Sequence, residues 1–183
     1  MRLSKYNKDD KELYEQLVFN DKVMRQNYGR TFTKAEAELL FSVMLVTNAA
    51  CTLGYYKVLV PIDNDETYIG MGALNRNEDG VFEIEYMLLP EYWNRGYGTA
   101  LVQTLLLMAK VSGLSETIEA ITDPSNTYSK RILEHTGFVF VKQYNNADGA
   151  LAELYRKNIS DGRKTRNECA KTMKQSSKTP QPR

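Results

Sequence analysis

Residues Glu83 to Lys110 read EIEYMLLPEYWNRGYGTALVQTLLLMAK, and their pattern decides the fold. The stretch has three parts. Val81 to Leu89 is an almost continuous run of apolar β-formers, which predicts a strand buried on both faces. From Thr99 to Val111 the chain is apolar nearly all round (Leu101, Val102, Leu105, Leu106, Leu107, Met108), which predicts a core helix. Between them, Gly96 and Gly98 let the backbone approach a ligand closely. A strand, a glycine loop and a helix N-terminus together make a cradle for an anion. The unpaired amides and the positive end of the helix dipole point at the same place.

Gly96-Tyr97-Gly98 starts a dinucleotide-binding fingerprint, but Leu101 occupies the third glycine position. A later strand ends near Asp123, where a ribose-binding acid would lie, so a dinucleotide fold stays open on that count. Against it, Pro90 to Arg95 makes the strand-to-glycine loop too long for the tight turn of that fold. No Gly-Lys-Ser or Gly-Lys-Thr occurs, which excludes a Walker loop. The remaining alternative is an ordinary pair of turn glycines that hold no ligand.

Tyr92-Trp93-Asn94-Arg95-Gly96-Tyr97-Gly98-Thr99-Ala100-Leu101 resembles the acyl-coenzyme A signature of the GNAT family of N-acetyltransferases. Its Trp-x-basic-Gly-Tyr form is similar to the branch containing the ribosomal-protein N-terminal acetyltransferases. A second segment, Asn126-Thr127-Tyr128-Ser129-Lys130-Arg131-Ile132-Leu133-Glu134-His135-Thr136-Gly137-Phe138, resembles the family's Asn-x-x-Ser … Glu-x-x-Gly-Phe pattern. The two occur in the family's order with a strand between them. The resemblance spans Lys5 to Lys157. It implies an α+β domain over residues 1–159, with a mixed, mostly antiparallel central sheet flanked by helices. It also implies acetyl-coenzyme A as co-substrate.

Composition agrees. A chain of 183 residues reads as one domain with a single good core. Its 42% hydrophobic and 26% charged content are those of a globular protein, and a net charge of +1 calls for no specific nucleic-acid partner. Cys51 and Cys169 fit no metal spacing and suit a reducing cytosol. With His135 the only histidine, neither a Cys/His zinc site nor a Ser-His-Asp triad is expected, and no metal is called for. His135 reads as the last residue of a helix. The N-terminus shows no signal-peptide core and no apolar run reaches membrane-spanning length, so the expectation is a cytoplasmic monomer or homodimer.

In chain order, a short strand near Leu3 to Tyr6 precedes a helix capped by Asn7 to Asp10, then a second helix over Phe19 to Tyr28 that ends at Gly29. Thr33 and Glu36 form a capping box for a helix to about Asn48, with Ala37, Leu40, Phe41, Met44 and Leu45 at helical spacing. Strands follow over Gly54 to Ile62 and Thr67 to Leu74, the first stopping at a turn cluster that begins with Pro61. The second joins Val81 to Leu89 through Asp79-Gly80, a hairpin-type turn. After the core helix, Gly113 is a C′ residue and Thr117 to Thr122 the next strand. A helix from Asp123–Asn126 to Gly137 and a final hairpin of Phe138 to Tyr144 with Ala150 to Lys157 complete the domain. Residues 160–183 hold seven Lys/Arg against Asp161 and Glu168, which gives the tail +5 and the remainder −4. With few apolar residues, this segment reads as a disordered basic tail, either solvated or loosely attached to RNA.

Acetyl transfer to an amine needs the pyrophosphate held, the carbonyl polarised, the ammonium deprotonated and the thiolate reprotonated. Amides of Asn94, Arg95, Gly96, Tyr97, Gly98 and Thr99, with the Arg95 charge, suit the first task. By resemblance the pantetheine arm lies along Tyr86, Met87 and Leu88, and the N–H of Met87 or Leu88 faces the thioester oxygen. Glu83 and Glu85 share one face of an otherwise apolar strand, where burial and mutual repulsion raise a carboxyl pKa toward that of a working base. Glu83 falls where the resembled branch often carries glutamate. The alternative is that both acids pair with Lys or Arg of a neighbouring strand. Many GNAT members place a tyrosine seven residues after the asparagine to protonate the thiolate, but this chain has Leu133 there. That leaves Asn126 and Ser129 to hold the pantetheine and orient a water or the sulfur.

Two functions follow. One is an N-acetyltransferase acting on a small-molecule amine or a peptide N-terminus. The other is a non-catalytic acyl-coenzyme A-binding sensor or scaffold. Nothing in the sequence names the acceptor.

Overall fold

The computed structural model describes residues 1–77, 80–113, 116–146 and 149–160. Of the basic tail read over residues 160–183, all but Ser160 lies outside these.

Among the described residues, seven strands form one sheet in the order β1-β2-β3-β4-β5-β7-β6. They are β1 (Arg2–Lys5), β2 (Tyr55–Ile62), β3 (Asp65–Arg76), β4 (Phe82–Leu88), β5 (Thr117–Thr122), β6 (Val139–Asn145) and β7 (Leu151–Asn158). The β4–β5 pair alone is parallel; the other neighbours are antiparallel. The sheet is therefore mixed and mostly antiparallel, and the domain is α+β. β7 inserts between β5 and β6, so the last hairpin leaves β6 as an edge.

Side-chain caps mark the start of the N-terminal helical region. Asn20 accepts from Lys22 N–H and Val23 N–H to open α2 (Asp21–Tyr28), which Gly29 ends at φ +72°. Asn7 and Asp10 close a capping box on the short turn before α1 (Lys11–Val18). Thr33 and Glu36 do the same for α3 (Lys34–Ala50). These three helices cover one face of the sheet. There Leu17, Val18, Val23, Met24, Phe41 and Met44 pack against Met71 and Met87.

The other face carries α4 (Tyr97–Ser112) and α5 (Thr127–His135). Leu101, Leu105 and Leu133 bury fully there against Leu74, Ile84 and Ile118. Side-chain alternation along β4 follows: Phe82, Ile84 and Leu88 enter the α4–α5 core, whereas Met87 joins the α1–α3 side.

The strand read over Gly54 to Ile62 forms as β2, and Pro61 near its end is exposed at a position beyond the reach of β1, where its missing N–H costs nothing. Asp63 and Asn64, both at positive φ, then close a two-residue hairpin. Three sequence expectations change. α4 starts at Tyr97 rather than Thr99, which places Gly98 inside the first turn. Nor is α4 buried all round: Leu107 and Val111 are 60% and 78% exposed, since only one side of the helix meets the sheet. On α3, Leu40 is 39% exposed, outside the stripe formed by Ala37, Phe41 and Met44. Among the described residues no helix is long and apolar enough to cross a membrane.

Candidate active site

Parallel pairing of β4 with β5 is recorded at Phe82–Ile118 and Glu83–Glu119 and at no later residue of β4, so the two strands part. Leu89 N–H donates to Ile69 O, which fixes the alternation of the β3–β4 ladder. Met87 and Glu85 therefore turn their main-chain groups toward β3. Tyr86 and Leu88 turn theirs away, into the gap. The Leu88 carbonyl agrees with this direction, since it accepts the Trp93 indole N–H at 2.7 Å. Of the two amides expected to face the gap, that of Leu88 does so and that of Met87 does not. Trp93, a residue of the first motif, pins the glycine loop to the end of β4.

That loop enters α4 through Gly96 at φ +81°, with no side-chain cap. The amides of Tyr97, Gly98 and Thr99 have no partner inside the helix, and Ala100 N–H is the first to find one, at Gly96 O. Gly98 meets α5 closely: a Cβ there would lie 2.8 Å from Ile132 Cδ1. Asn94 adopts φ +58°, a conformation asparagine tolerates.

A cavity of about 380 Å³ occupies this gap. Tyr86, Met87 and Leu88 line it from β4, and Asn94, Gly96, Gly98 and Thr99 from the loop and helix start. Asn126 and Ser129 line it from α5. Arg95 and Tyr97 do not. Arg95 is exposed with its guanidinium 5.9 Å from the Tyr92 ring centre, and Tyr97 packs edge-on to the same ring. The basic side chain on the cavity is instead Arg131. Gln26 and Asn27 of α2 also line it, and nothing in the local sequence marks them.

Asn126 is buried and fully engaged. Its oxygen accepts Ser129 N–H at 3.0 Å as the α5 N-cap, and its amide donates to Gln26 O at 3.0 Å. It positions α5 against α2. Ser129 Oγ lies 2.8 Å from the Tyr86 hydroxyl, which burial pushes up to about 12 and the Ser129 contact lowers in part. Leu133 is fully buried in the core, so no hydroxyl reaches the cavity from that position.

A second cavity of about 300 Å³ adjoins the first and shares Asn27, Tyr86, Met87 and Ser129 with it. Glu83 and Glu85 line this one. Among the described residues neither forms an ion pair or side-chain hydrogen bond. The neighbouring Arg156 pairs with Glu119 instead, whose other oxygen accepts from Asn77. Burial, then the charges of Glu85 and Glu119, lift the Glu83 carboxyl to about 7. Burial raises that of Glu85. Desolvation is the leading cause for both, as expected of carboxyls held away from water without a cation.

The family model for the acetyltransferase (GNAT) domain matches residues 1–139. No curated protein matches the chain. Among solved structures, a GNAT-family acetyltransferase from Bacillus anthracis superposes with a TM-score of 0.71 at 18% identity, covering 87% of this chain and 95% of that one. An acetyltransferase from Agrobacterium tumefaciens gives 0.70 at 18%, covering 85% and 89%. A Salmonella typhimurium acetyltransferase that modifies the N-terminal serine of ribosomal protein L7/L12 gives 0.70 at 16%, covering 86% and 94%. At such identities the likeness is one of fold.

Proposed function

The chain belongs to the GNAT acetyltransferase family, and from that premise we propose that it transfers an acetyl group from acetyl-coenzyme A directly to the primary amine of a small molecule or a protein N-terminus. One observation carries the reading. Two adjoining cavities meet at Tyr86, Met87 and Ser129, with an uncapped helix N-terminus on one and two unpaired carboxylates on the other.

The amides of Gly96 to Thr99, with Arg131 nearby, suit the pyrophosphate of the cofactor. The main-chain groups of Tyr86 and the N–H of Leu88 suit the pantetheine arm, which completes the ladder that β5 leaves open. Leu88 N–H then donates to the thioester oxygen as negative charge gathers on it. Glu83, with a carboxyl near neutrality, takes the proton of the acceptor ammonium directly or through water. The freed amine forms the C–N bond as the C–S bond breaks. The second N–H proton, released as the nitrogen becomes an amide, replaces the one that Ser129, hydrogen-bonded to a Tyr86 hydroxyl that stays protonated at neutral pH, gives to the sulfur.

The test is thiol release from acetyl-coenzyme A by the purified protein across a panel of amines and N-terminal peptides. Amine-dependent release supports the reading. Cofactor binding with no release from any amine assigns the chain to the sensor or scaffold class instead.

A further inference from the structure

The second cavity also specifies the charge of its occupant. This inference rests on the acetyl-transfer reading and concerns the acceptor. Glu83, Glu85 and Asp123 line the cleft, and no Lys, Arg or His does so among its described lining residues. The guanidinium of Arg156, on the strand beyond β5, is already engaged by Glu119.

Glu83 and Glu85 project from the same side of β4 two residues apart, so their Cα atoms lie about 7 Å apart along the strand. Each has a distinct neighbourhood. Glu83 is in register with Asn75, whose side-chain oxygen and nitrogen are both buried without a hydrogen-bond partner among the described residues. Glu85 is in register with Ala73, and Ala73 with Tyr55, so a small residue separates the acid from a tyrosine on the same face. Burial pushes up the hydroxyls of Tyr14, Tyr28 and Tyr55, and the charge of Glu85 adds to the rise at each of the three. Tyr28 and Glu85 line the same cavity. A carboxylate beside tyrosine faces is a site for an ammonium group.

A singly charged acceptor compensates only one of these two half-buried carboxylates, and a carboxylate partly withdrawn from water without a cation is costly. Two ammonium groups compensate both. We propose that the acceptor is a linear diamine, with two protonated nitrogens separated by about the span of a four- or five-carbon chain. Glu83 receives the proton of the reacting nitrogen. Glu85, with Tyr28 and Tyr55, holds the nitrogen that does not react. The amide of Asn75 is placed to fix Glu83.

Two readouts test this, with diaminobutane, butylamine and a serine-initiated peptide as probes. The first is calorimetric titration of each probe into protein saturated with coenzyme A, which needs no turnover. The second is the ratio of kcat/KM for diaminobutane over butylamine. Diaminobutane should bind at least about tenfold more tightly than butylamine, the size of one well-placed charge contact, and the kinetic ratio should match. Glu85→Gln should bring that ratio close to one, mainly by raising KM for the diamine. Equal affinity for the two amines, a preference for the peptide, or a ratio that survives Glu85→Gln overturns the proposal. Preferential diamine binding without any turnover upholds the diamine site and overturns acetyl transfer. Turnover without diamine preference does the reverse.

Discussion

The Tyr86 hydroxyl lies 2.8 Å from Ser129 Oγ and so joins β4 to the first turn of α5, both residues lining the two cavities. If this pair delivers one proton to the departing thiolate, the two side chains act as a unit. Tyr86→Phe, Ser129→Ala and the double variant should each lower turnover by a similar factor of about ten or more, because residues in one network are not additive. Coenzyme A affinity should hold in all three. A double variant whose loss equals the product of the single losses would separate the two residues.

Gly98 stands in the first turn of α4, lining the cofactor cavity and abutting Ile132. Gly98→Glu brings a carboxylate to the place proposed for pyrophosphate, where the helix dipole favours one anion and repulsion excludes a second. Calorimetry should find coenzyme A binding abolished. Only the flexible end of Ile132 obstructs the new Cβ, so the variant should still melt cooperatively. Unchanged affinity in a folded variant would move the anion site elsewhere.

Much of this architecture is legible in local sequence because its causes are local. The Thr33–Glu36 capping box, the stop at Gly113 and the strand from Thr117 to Thr122 follow from side chains within a few residues of one another. The two motifs mark the loop and the α5 N-terminus that line the first cavity. What stayed hidden depends on distant neighbours. Asn126 reaches Gln26, a hundred positions away, and Tyr86 reaches Ser129. Arg95 turns outward while Arg131, on another element, supplies the cavity's charge, and no spacing rule distinguishes two arginines. The insertion of β7 beside β5 is a property of pairing and not of any one strand. Apolar composition likewise could not say which side of α4 the sheet would cover, so Leu107 and Val111 read as core.

Arg156 offers a remote handle on the proposed base. Its guanidinium pairs with Glu119, whose charge is one of the causes that hold the Glu83 carboxyl up. Arg156→Met leaves the Glu119 charge uncompensated, which disfavours ionised Glu83 further. The acid limb of kcat/KM should move to higher pH. Glu119→Gln removes the repulsion and should move the limb to lower pH. Identical pH profiles in both variants would mean that Glu83 does not govern the limb.

The raised Glu83 carboxyl also has a cost in stability. Its folded value of about 7 lies above the ordinary 4.5, so the folded state keeps a proton that the unfolded state gives up as pH rises from about 4.5 to about 7. Wild-type stability should fall across that window and level off above it. Glu83→Gln removes the ionisation, so the variant should melt higher than wild type at pH 8 and show no such advantage at pH 4. Thermal melts at the two values decide it, and an advantage that is equal at both would contradict the linkage.

The central claim is that Glu83 accepts the proton of the acceptor amine, and the pH dependence of acetyl transfer by Glu83→Gln tests it most directly. The substitution keeps shape and hydrogen bonding but removes basicity. With acetyl-coenzyme A affinity retained, turnover near neutral pH should fall by about 10²–10⁴, the usual contribution of a general base. The deficit should then shrink as pH rises and the acceptor amine arrives already deprotonated. A variant that turns over like wild type at neutral pH, or whose deficit is the same at every pH, would contradict the account.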